Sequence, residues 1–241
     1  MGGKEQQARH IVEQLLTYGV GCTAYLEPFI GGASIFARVA PHFPGSAVGA
    51  DAHPDLALMW AAVVEGWEPP ESVSREEYAA LRHGEPSPMR AFAGFGCSFG
   101  GKWFGGYAGT HDRSGTRDPL MVVSARAVRR KAEGMTGQTV IHADYRSFTP
   151  GPRTLVYCDP PYAGTTGYAT GEFDHGEFWA VMQSWADSGA TVLVSEFSAP
   201  DFAEAVWERG NRTRLRKDAN KLPTTEKLFR VHATSVLPLA A

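Results

Sequence analysis

The most informative stretch of the chain is residues 155–162, which read LVYCDPPY. The apolar residues predict a buried strand, and the acid and two prolines that follow end it. A residue before proline is biased away from helical conformations, so the strand cannot run directly into a helix. In an open α/β sheet, ligands bind beyond the carboxyl ends of the strands. We therefore expect Asp159, Pro160 and Tyr162 to form a stiff turn that binds a planar amine-bearing ring. The structural alternative is a proline-rich turn in which the acid caps a helix.

Composition indicates a globular protein with one large α/β domain and a small insertion. The chain has 241 residues, of which 43% are hydrophobic and 20% charged. No apolar run approaches the roughly 18 residues that span a bilayer. Residues 1–5 lack the apolar core of a signal peptide, so we expect a cytoplasmic protein. The three cysteines lie far apart without metal-type spacing, so no metal site is expected.

Positive charge is clustered although the net charge is −3. One cluster lies within residues 126–131 and another within residues 209–221. Clusters of this kind form either solvated faces or contacts to phosphates, and the distribution of charge matters more than its sum. The clusters alone do not distinguish these two possibilities.

Alternating helix and strand patterns occupy residues 1–65 and 119–241. Helices are predicted over 5–17, 33–40, 53–65, 119–133 and 174–187, and strands over 23–29, 47–50, 138–142, 154–158 and 190–195. The pattern breaks over residues 66–118, which contain four prolines and a glycine- and aromatic-rich segment at 95–107. We interpret residues 66–118 as an insertion packed beside the sheet.

Acidic residues follow four of the predicted strands. Residues 27–33, EPFIGGA, form a glycine turn that lets the backbone approach a ligand, although its spacing is not that of a pyrophosphate loop. Asp51 ends the next strand, where a ribose diol would find its acceptor, or else it caps the helix at 53. Asp144 could accept a hydrogen bond from an adenine amine or cap a loop. Together with Glu27 and Asp159, these acids predict a single crevice with a binding site.

The motifs and their order resemble the Dam-type family of adenine-specific DNA methyltransferases, which use S-adenosylmethionine. The resemblance rests on Gly2-Gly3-Lys4, on residues 27–32, on Asp144-Tyr145 and on residues 159–162, and it spans essentially the whole chain. It implies a Rossmann-like class I methyltransferase fold, with a mostly parallel seven-stranded sheet and helices on both faces. Residues 1–65 and 119–241 would form the methyltransferase domain, and residues 66–118 the DNA target-recognition region.

The resemblance also assigns residues to the two halves of the reaction. Around the methyl donor it places Gly3, Lys4, Glu27, Pro28, Phe29, Gly31, Gly32, Asp51, Asp144 and Tyr145. Asp159, Pro160 and Tyr162 would hold the target adenine. The chain departs from the family at two places: no aromatic residue precedes Gly-Gly-Lys, and His53 stands where asparagine is common.

The mechanism implied is direct methyl transfer to the exocyclic N6 amine of a flipped-out adenine. The Asp159 carboxylate and the Pro160 carbonyl would accept the two protons of the amine, so neither a cysteine nucleophile nor a metal is required. Flipping costs a few kcal/mol, and stacking on Tyr162, worth about 1–3 kcal/mol, offsets part of it.

The expected partner is double-stranded DNA, bound by a monomer or weak dimer in a bacterial or phage-infected cell. Lys102, Trp103 and Phe104 either wedge into the gap left by the flipped base or pack the insertion onto the sheet. Phosphate contacts are expected from Arg212, Arg214 and Arg216, and Lys221 belongs to a segment that resembles the end of the family's chains.

Three other functions use the same features. Transfer to the N4 amine of cytosine needs the same acid and aromatic residue, but the Glu-Pro-Phe sequence and the motif order favour adenine. Methylation of a protein amide usually has asparagine in place of Asp159. A non-catalytic DNA-binding protein could retain the fold, although the intact Asp-Pro-Pro-Tyr motif argues against it.

Overall fold

The structure is a computed structural model that describes residues 4–108, 118–162, 173–210 and 225–234. It is a mixed α/β protein with a seven-stranded sheet. The strands are β1 (Ala24–Glu27), β2 (Ala47–Asp51), β3 (Thr139–His142), β4 (Thr154–Cys158), β5 (Thr191–Glu196), β6 (Ala203–Gly210) and β7 (Thr225–Val231). The α-helices are α1 (Ala8–Tyr18), α2 (Phe36–Val39), α3 (Pro54–Val64), α4 (Arg75–Leu81), α5 (Pro88–Ala91), α6 (Leu120–Ala132) and α7 (His175–Asp187). Contacts divide the chain into two units, one of residues 1–12 and 27–147 and one of residues 13–26 and 148–241.

The first unit is built around the parallel pair β2 and β3. The register pairs Ala50 with Ile141, so the ends of the two strands coincide. Helix α3 begins with Pro54 after an extended His53, which is a favourable start because proline has no N–H to leave unbonded in the first turn. The core of this unit includes Trp60, Phe36, Phe92 and Met135, all fully buried.

Residues 66–108 and 118 belong by their contacts to this first unit. Helix α4 begins with a capping box, in which Ser74 accepts from the Glu77 N–H and the Glu77 carboxylate accepts from the Ser74 N–H. The Tyr78 hydroxyl bonds the Ser98 Oγ at 2.7 Å, and the Tyr107 hydroxyl donates to the Val73 carbonyl at 2.6 Å. Hydrogen bonds thus connect parts of this segment with one another, and Asp55 on α3 accepts from the Ser87 N–H at 3.0 Å, so a separate insertion stays a prediction.

The second unit contains strands in the order β1-β4-β5-β7-β6. The β1/β4 and β4/β5 pairs are parallel, whereas β5/β7 and β6/β7 are antiparallel. The sheet is therefore mixed: of the five strand pairs described, β1/β4, β2/β3 and β4/β5 are parallel, as the prediction of a mostly parallel sheet allows, and two are antiparallel. The antiparallel pairs arise because β7 inserts between β5 and β6 and runs against both. Helix α7 begins as predicted, with the Asp174 carboxylate accepting from the Glu177 N–H at 2.9 Å.

Element boundaries differ from the predictions mainly at the glycine turn. The first strand ends at Glu27, before Pro28, which has no N–H for a strand hydrogen bond. The helix predicted from residue 33 begins at Phe36, because Ala33 has a left-handed φ of 53° that no α-helix accommodates. The turn is therefore longer than the sequence pattern suggested.

Among the helices that the structure describes, none is long and apolar enough to cross a membrane.

Candidate active site

The glycine turn of the first unit is fixed by the carboxylate of Asp51 at the end of β2. Its Oδ2 accepts from the Gly31 N–H at 2.9 Å and its Oδ1 accepts from the His53 N–H at 2.8 Å. Burial raises the pKa of Asp51, and the two backbone hydrogen bonds act against that rise. Asp51 thus connects the turn, β2 and the residue that precedes α3, and its predicted contact with a ribose stays a prediction.

Gly31 leaves open space beside the turn. Its φ of 45° lies in the left-handed region, and a Cβ built on it would meet nothing closer than the Phe29 carbonyl oxygen at 3.9 Å. Glycine is favoured here by its backbone conformation rather than by crowding. The backbone at this point can therefore approach a bound molecule closely.

Two side chains that sequence reasoning missed hold the carbonyls of the same turn. The Trp60 indole N–H donates to the Gly31 carbonyl at 2.8 Å. The Lys131 ammonium donates to the Gly32 carbonyl at 2.6 Å and to the Ser34 hydroxyl at 3.0 Å. Lys131 is only 9% exposed, and burial lowers its pKa to about 8. The basic run at 126–131 had suggested only a solvated face or a phosphate contact.

Asp144 and Tyr145 follow β3 and lie with Phe29 in the first unit. The ring centroids of Phe29 and Tyr145 are 5.3 Å apart, so the two residues assigned to the donor are in contact. Both oxygens of Asp144 accept from Arg146, from its Nε at 2.8 Å and its Nη2 at 2.9 Å. These hydrogen bonds lower the pKa of Asp144. Asp144 therefore already has a cationic partner, which the sequence pattern did not predict.

The remaining residues assigned to the donor lie in the same unit. Glu27 and Pro28 are buried at the end of β1, Gly32 follows Gly31 in the turn, and Lys4 lies in the short 3₁₀ helix Lys4–Gln6. Gly3 lies outside the described residues.

The Asp-Pro-Pro-Tyr turn lies in the second unit, directly after β4. Asp159 and Tyr162 are partly exposed and Pro160 is buried. The Tyr162 hydroxyl donates to Glu226 Oε1 at 3.3 Å, and the Tyr162 ring meets Phe197 nearly edge-on with centroids 4.7 Å apart. Glu226 is 5% exposed. The plane of the tyrosine ring is therefore fixed from two sides.

Phe197 is itself held by the neighbouring glutamate. Glu196 is 1% exposed, and its Oε2 accepts from the Phe197 N–H at 2.9 Å. Neither glutamate was singled out in the sequence as a site residue. The four acids of the predicted crevice are divided between the units, with Glu27, Asp51 and Asp144 in the first and Asp159 in the second. A single crevice that contains all four stays a prediction.

Comparison with known proteins agrees with the family resemblance seen in the sequence. Residues 1–84, which contain the glycine turn and Asp51, match a family model described as D12 class N6 adenine-specific DNA methyltransferase. The match covers 84 of the 241 residues, and over that part the chain is similar to this family. The resemblance seen in the sequence is confirmed, and so is the activity it implies: the protein is an enzyme that methylates adenine in DNA, and the family implies S-adenosylmethionine as donor. No curated protein of similar sequence was found.

The residues predicted to insert into DNA are unequally accessible in this methyltransferase. Lys102 is exposed, and Trp103 is partly buried against His53, with ring centroids 4.4 Å apart. Phe104 is 6% exposed and packs against Tyr78 at 5.0 Å. In this conformation Phe104 fits the packing alternative, whereas Lys102 and Trp103 keep surface for contact. Arg212, Arg214, Arg216 and Lys221 lie outside the described residues.

The basic cluster on α6 of the methyltransferase has acidic partners. Arg126 pairs with Asp118, Arg129 bonds Glu68 at 3.0 Å, and Arg130 approaches Glu5 at 4.0 Å. Surface pairs of this kind contribute little to stability. They partly neutralise the cluster and therefore favour a solvated face over a phosphate contact for this segment.

His53, where the family commonly has asparagine, is partly buried beside the rings of Phe95 and Trp103. Its Nδ1 has no hydrogen-bond partner among the residues described, and the nearest carboxylate oxygen, Asp55 Oδ2, is 3.8 Å away. Burial lowers the pKa of His53. The ring is therefore neutral at neutral pH and packs as an aromatic group beside Asp51.

The structure as described contains no group of three or more His, Cys, Asp or Glu residues that could hold a metal ion. Cys97 and Cys158 are buried, and burial raises the pKa of Cys97 to about 12. A thiol of such high pKa is a poor nucleophile because little thiolate forms.

Proposed function

We propose that this methyltransferase is site-specific and methylates the exocyclic N6 amine of an adenine flipped out of duplex DNA. The observation that carries the proposal is the Asp-Pro-Pro-Tyr turn after β4, with Asp159 and Tyr162 partly exposed and the Tyr162 ring fixed by Glu226 and Phe197. A carboxylate beside an oriented aromatic ring suits a flat base that carries an amine. An adenine within a duplex cannot reach such a turn without leaving the base stack.

The turn of the first unit supports the binding of S-adenosylmethionine. The space beside Gly31 is open, and each oxygen of Asp51 accepts one backbone N–H and retains a lone pair that a ribose hydroxyl can use. Oδ2 of Asp144 accepts one N–H from Arg146 and can also accept one from an adenine amine. Gly3, Lys4, Glu27, Pro28, Phe29, Gly32 and Tyr145 complete the proposed donor site. The bound donor supplies a methyl group activated by its sulfonium.

The target side supplies hydrogen-bond acceptors and a stacking surface. The lone pair of an adenine amine is delocalised into the ring, so the amine is a weak nucleophile. The Asp159 carboxylate and the Pro160 carbonyl accept its two N–H groups and thereby localise the lone pair on the nitrogen instead of in the ring. The amine need not be deprotonated before it attacks: once it has taken the methyl group, leaving S-adenosylhomocysteine, the Asp159 carboxylate accepts its surplus proton. Tyr162 stacks on the base and offsets part of the cost of flipping, which is about a few kcal/mol.

The remaining assignments complete the proposal. The domain of residues 1–65 and 119–241 has a Rossmann-like class I methyltransferase fold, and residues 66–118 recognise the target sequence through exposed groups such as Lys102. Arg212, Arg214, Arg216 and Lys221 contact phosphates of double-stranded DNA. The enzyme acts as a monomer or weak dimer in the cytoplasm of a bacterial or phage-infected cell.

Sequencing of DNA from cells that express the protein, with modified bases detected directly, tests this proposal. We expect N6-methyladenine in one short sequence context, and none of it in cells that express Asp159→Ala. N4-methylcytosine would favour the cytosine alternative. Unmodified DNA, with the protein present and folded, would indicate a DNA-binding protein without activity. Methylated adenine without a sequence context would contradict site specificity.

A further inference from the structure

The side chain of Lys131 is at the centre of a hydrogen-bond network behind the glycine turn. Its ammonium donates to the Gly32 carbonyl and the Ser34 hydroxyl, and it lies 5.9 Å from the centre of the Trp60 ring. Trp60 in turn donates to the Gly31 carbonyl. Two consecutive carbonyls of the turn are thus held by two side chains that are adjacent to each other.

The network also reaches the N-terminal segment that carries Lys4. Arg38 donates to the Ser34 carbonyl, and its Nη2 lies 2.5 Å from Glu5 Oε1. Because Ser34 accepts from Lys131 through its hydroxyl and from Arg38 through its carbonyl, the network connects residues 4–6 to the turn. Both parts belong to the proposed donor site.

We propose that Lys131 is a positioning residue, which holds the turn at residues 31–34 and the adjacent N-terminal segment in the conformation that binds the methyl donor. The inference rests on the proposed donor site and goes beyond it, since Lys131 lies on α6, outside the sequence motifs. No contact between Lys131 and the donor is required.

A buried ammonium is unfavourable unless its hydrogen bonds and nearby charges compensate for lost hydration. Here two hydrogen bonds and the face of Trp60 do so in part. The charged groups around it are Glu5 beside α1, Glu27 at the end of β1, Arg38 on α2 and Arg130 on α6. The charged form of Lys131 is nevertheless disfavoured compared with a lysine in water, because burial lowers its pKa to about 8. An apolar residue would fill this position at lower cost if only packing were needed.

Replacing Lys131 by methionine tests the role, with Arg126→Met as matched control. Methionine keeps most of the volume of the lysine stem but removes its N–H groups, whereas Arg126 lies on the same helix with its side chain 61% exposed and pairs with Asp118, outside the network. We expect the dissociation constant for S-adenosylhomocysteine, measured by titration calorimetry, to rise about tenfold in Lys131→Met, the loss typical of removing a hydrogen bond to a charged group. In Arg126→Met it should stay within about twofold of wild type.

Steady-state kinetics should show the same separation. In Lys131→Met the KM for the donor should rise while kcat at saturating donor stays near that of wild type, because the target side is untouched. Amide hydrogen exchange at residues 31–34 without donor should be faster in Lys131→Met than in wild type.

The pH dependence of S-adenosylhomocysteine binding shows whether Lys131 acts as a charged hydrogen-bonding group or only by packing. As pH rises from about 7 to about 9, wild-type Lys131 loses its proton, and the ratio of dissociation constants between Lys131→Met and wild type should fall. A constant ratio, or unchanged donor affinity at about pH 7, would overturn the proposal. If Lys131→Met does not fold, Lys131→Leu, whose side chain also lacks an N–H group, takes its place, and unchanged affinity for S-adenosylhomocysteine there would overturn the proposal equally. Failure of the wild-type protein to bind S-adenosylhomocysteine would refute the proposed donor site instead.

Discussion

Asp51 is expected to determine both the stability of the first unit and the affinity for the donor. Asp51→Ala removes the acceptor for the Gly31 and His53 N–H groups at once. A hydrogen bond to a charged group contributes about 1.5–3 kcal/mol, so two of them contribute at most about 3–6 kcal/mol. Because Asp51 is partly exposed and both N–H groups can recover water, we expect a loss near the lower limit, about 3 kcal/mol of the free energy of unfolding.

Asp51→Asn should lose about half as much. An amide oxygen can still accept one backbone N–H, but the amide nitrogen then faces the other N–H as a second donor. The donor affinity should fall in both variants by about 1–3 kcal/mol, because a ribose hydroxyl loses its acceptor.

Urea unfolding followed by tryptophan fluorescence, together with calorimetric titration of S-adenosylhomocysteine, measures both effects. Asp118→Ala is the control, because Asp118 is half exposed and pairs only at the surface with Arg126. It should change stability by less than about 0.5 kcal/mol. If Asp51→Ala matched this control in both stability and donor affinity, Asp51 would neither anchor the glycine turn nor contact the ribose.

Three further predictions concern other parts of the molecule. Glu226→Ala should lower kcat about tenfold with unchanged affinity for S-adenosylmethionine, because the Tyr162 ring loses one of its two restraints. Glu226→Gln keeps a hydrogen-bond acceptor, so its kcat should stay close to that of wild type. Equal kcat in the two variants would exclude orientation of Tyr162 by Glu226. His53 takes up a proton near pH 6.5 in the unfolded chain but only at lower pH in the folded protein, so the free energy of unfolding should fall as pH drops below about 6.5. The urea midpoint should therefore decrease less between about pH 7.5 and pH 5.5 in His53→Asn than in wild type. Equal decreases would show that His53 does not contribute. Replacing Arg212, Arg214 and Arg216 together by alanine should weaken binding to matched and scrambled duplexes alike. The slope of the logarithm of the binding constant against the logarithm of the salt concentration should become less steep by about 0.9 per lost phosphate contact. An unchanged slope would show that these arginines do not contact phosphates.

Much of the sheet could be predicted because apolar runs end at acids or glycines. Strands β2 and β4 and helix α7 lie within one residue of their predicted bounds, and the Asp174 cap is confirmed. The antiparallel strands β6 and β7 were missed, although β7 alternates buried and exposed residues over part of its length. The direction in which they pair depends on the order of strands in the sheet, which no local pattern specifies.

Site residues that belong to a sequence motif could be predicted, whereas those that reach the site through packing could not. Lys131 continues the buried face of α6, which includes Met121, Ser124 and Val128, so helical periodicity would have placed it toward the core. The adjacent arginines concealed this signal. The pairing of Arg146 with Asp144 depends on side-chain geometry. The contact of Glu226 with Tyr162 depends on the long-range pairing of strands. A sequence pattern shows neither.

Methyl transfer in vitro tests the central claim most directly. Plasmid DNA from cells without adenine methylation is incubated with purified protein and isotopically labelled S-adenosylmethionine, and its nucleosides are analysed by mass spectrometry. We predict labelled N6-methyldeoxyadenosine with the wild-type protein and at least about a hundredfold less with Asp159→Ala, as for the loss of other transition-state contacts. Label in N4-methyldeoxycytidine, no label in DNA, or more than about a tenth of wild-type transfer by Asp159→Ala would contradict the account.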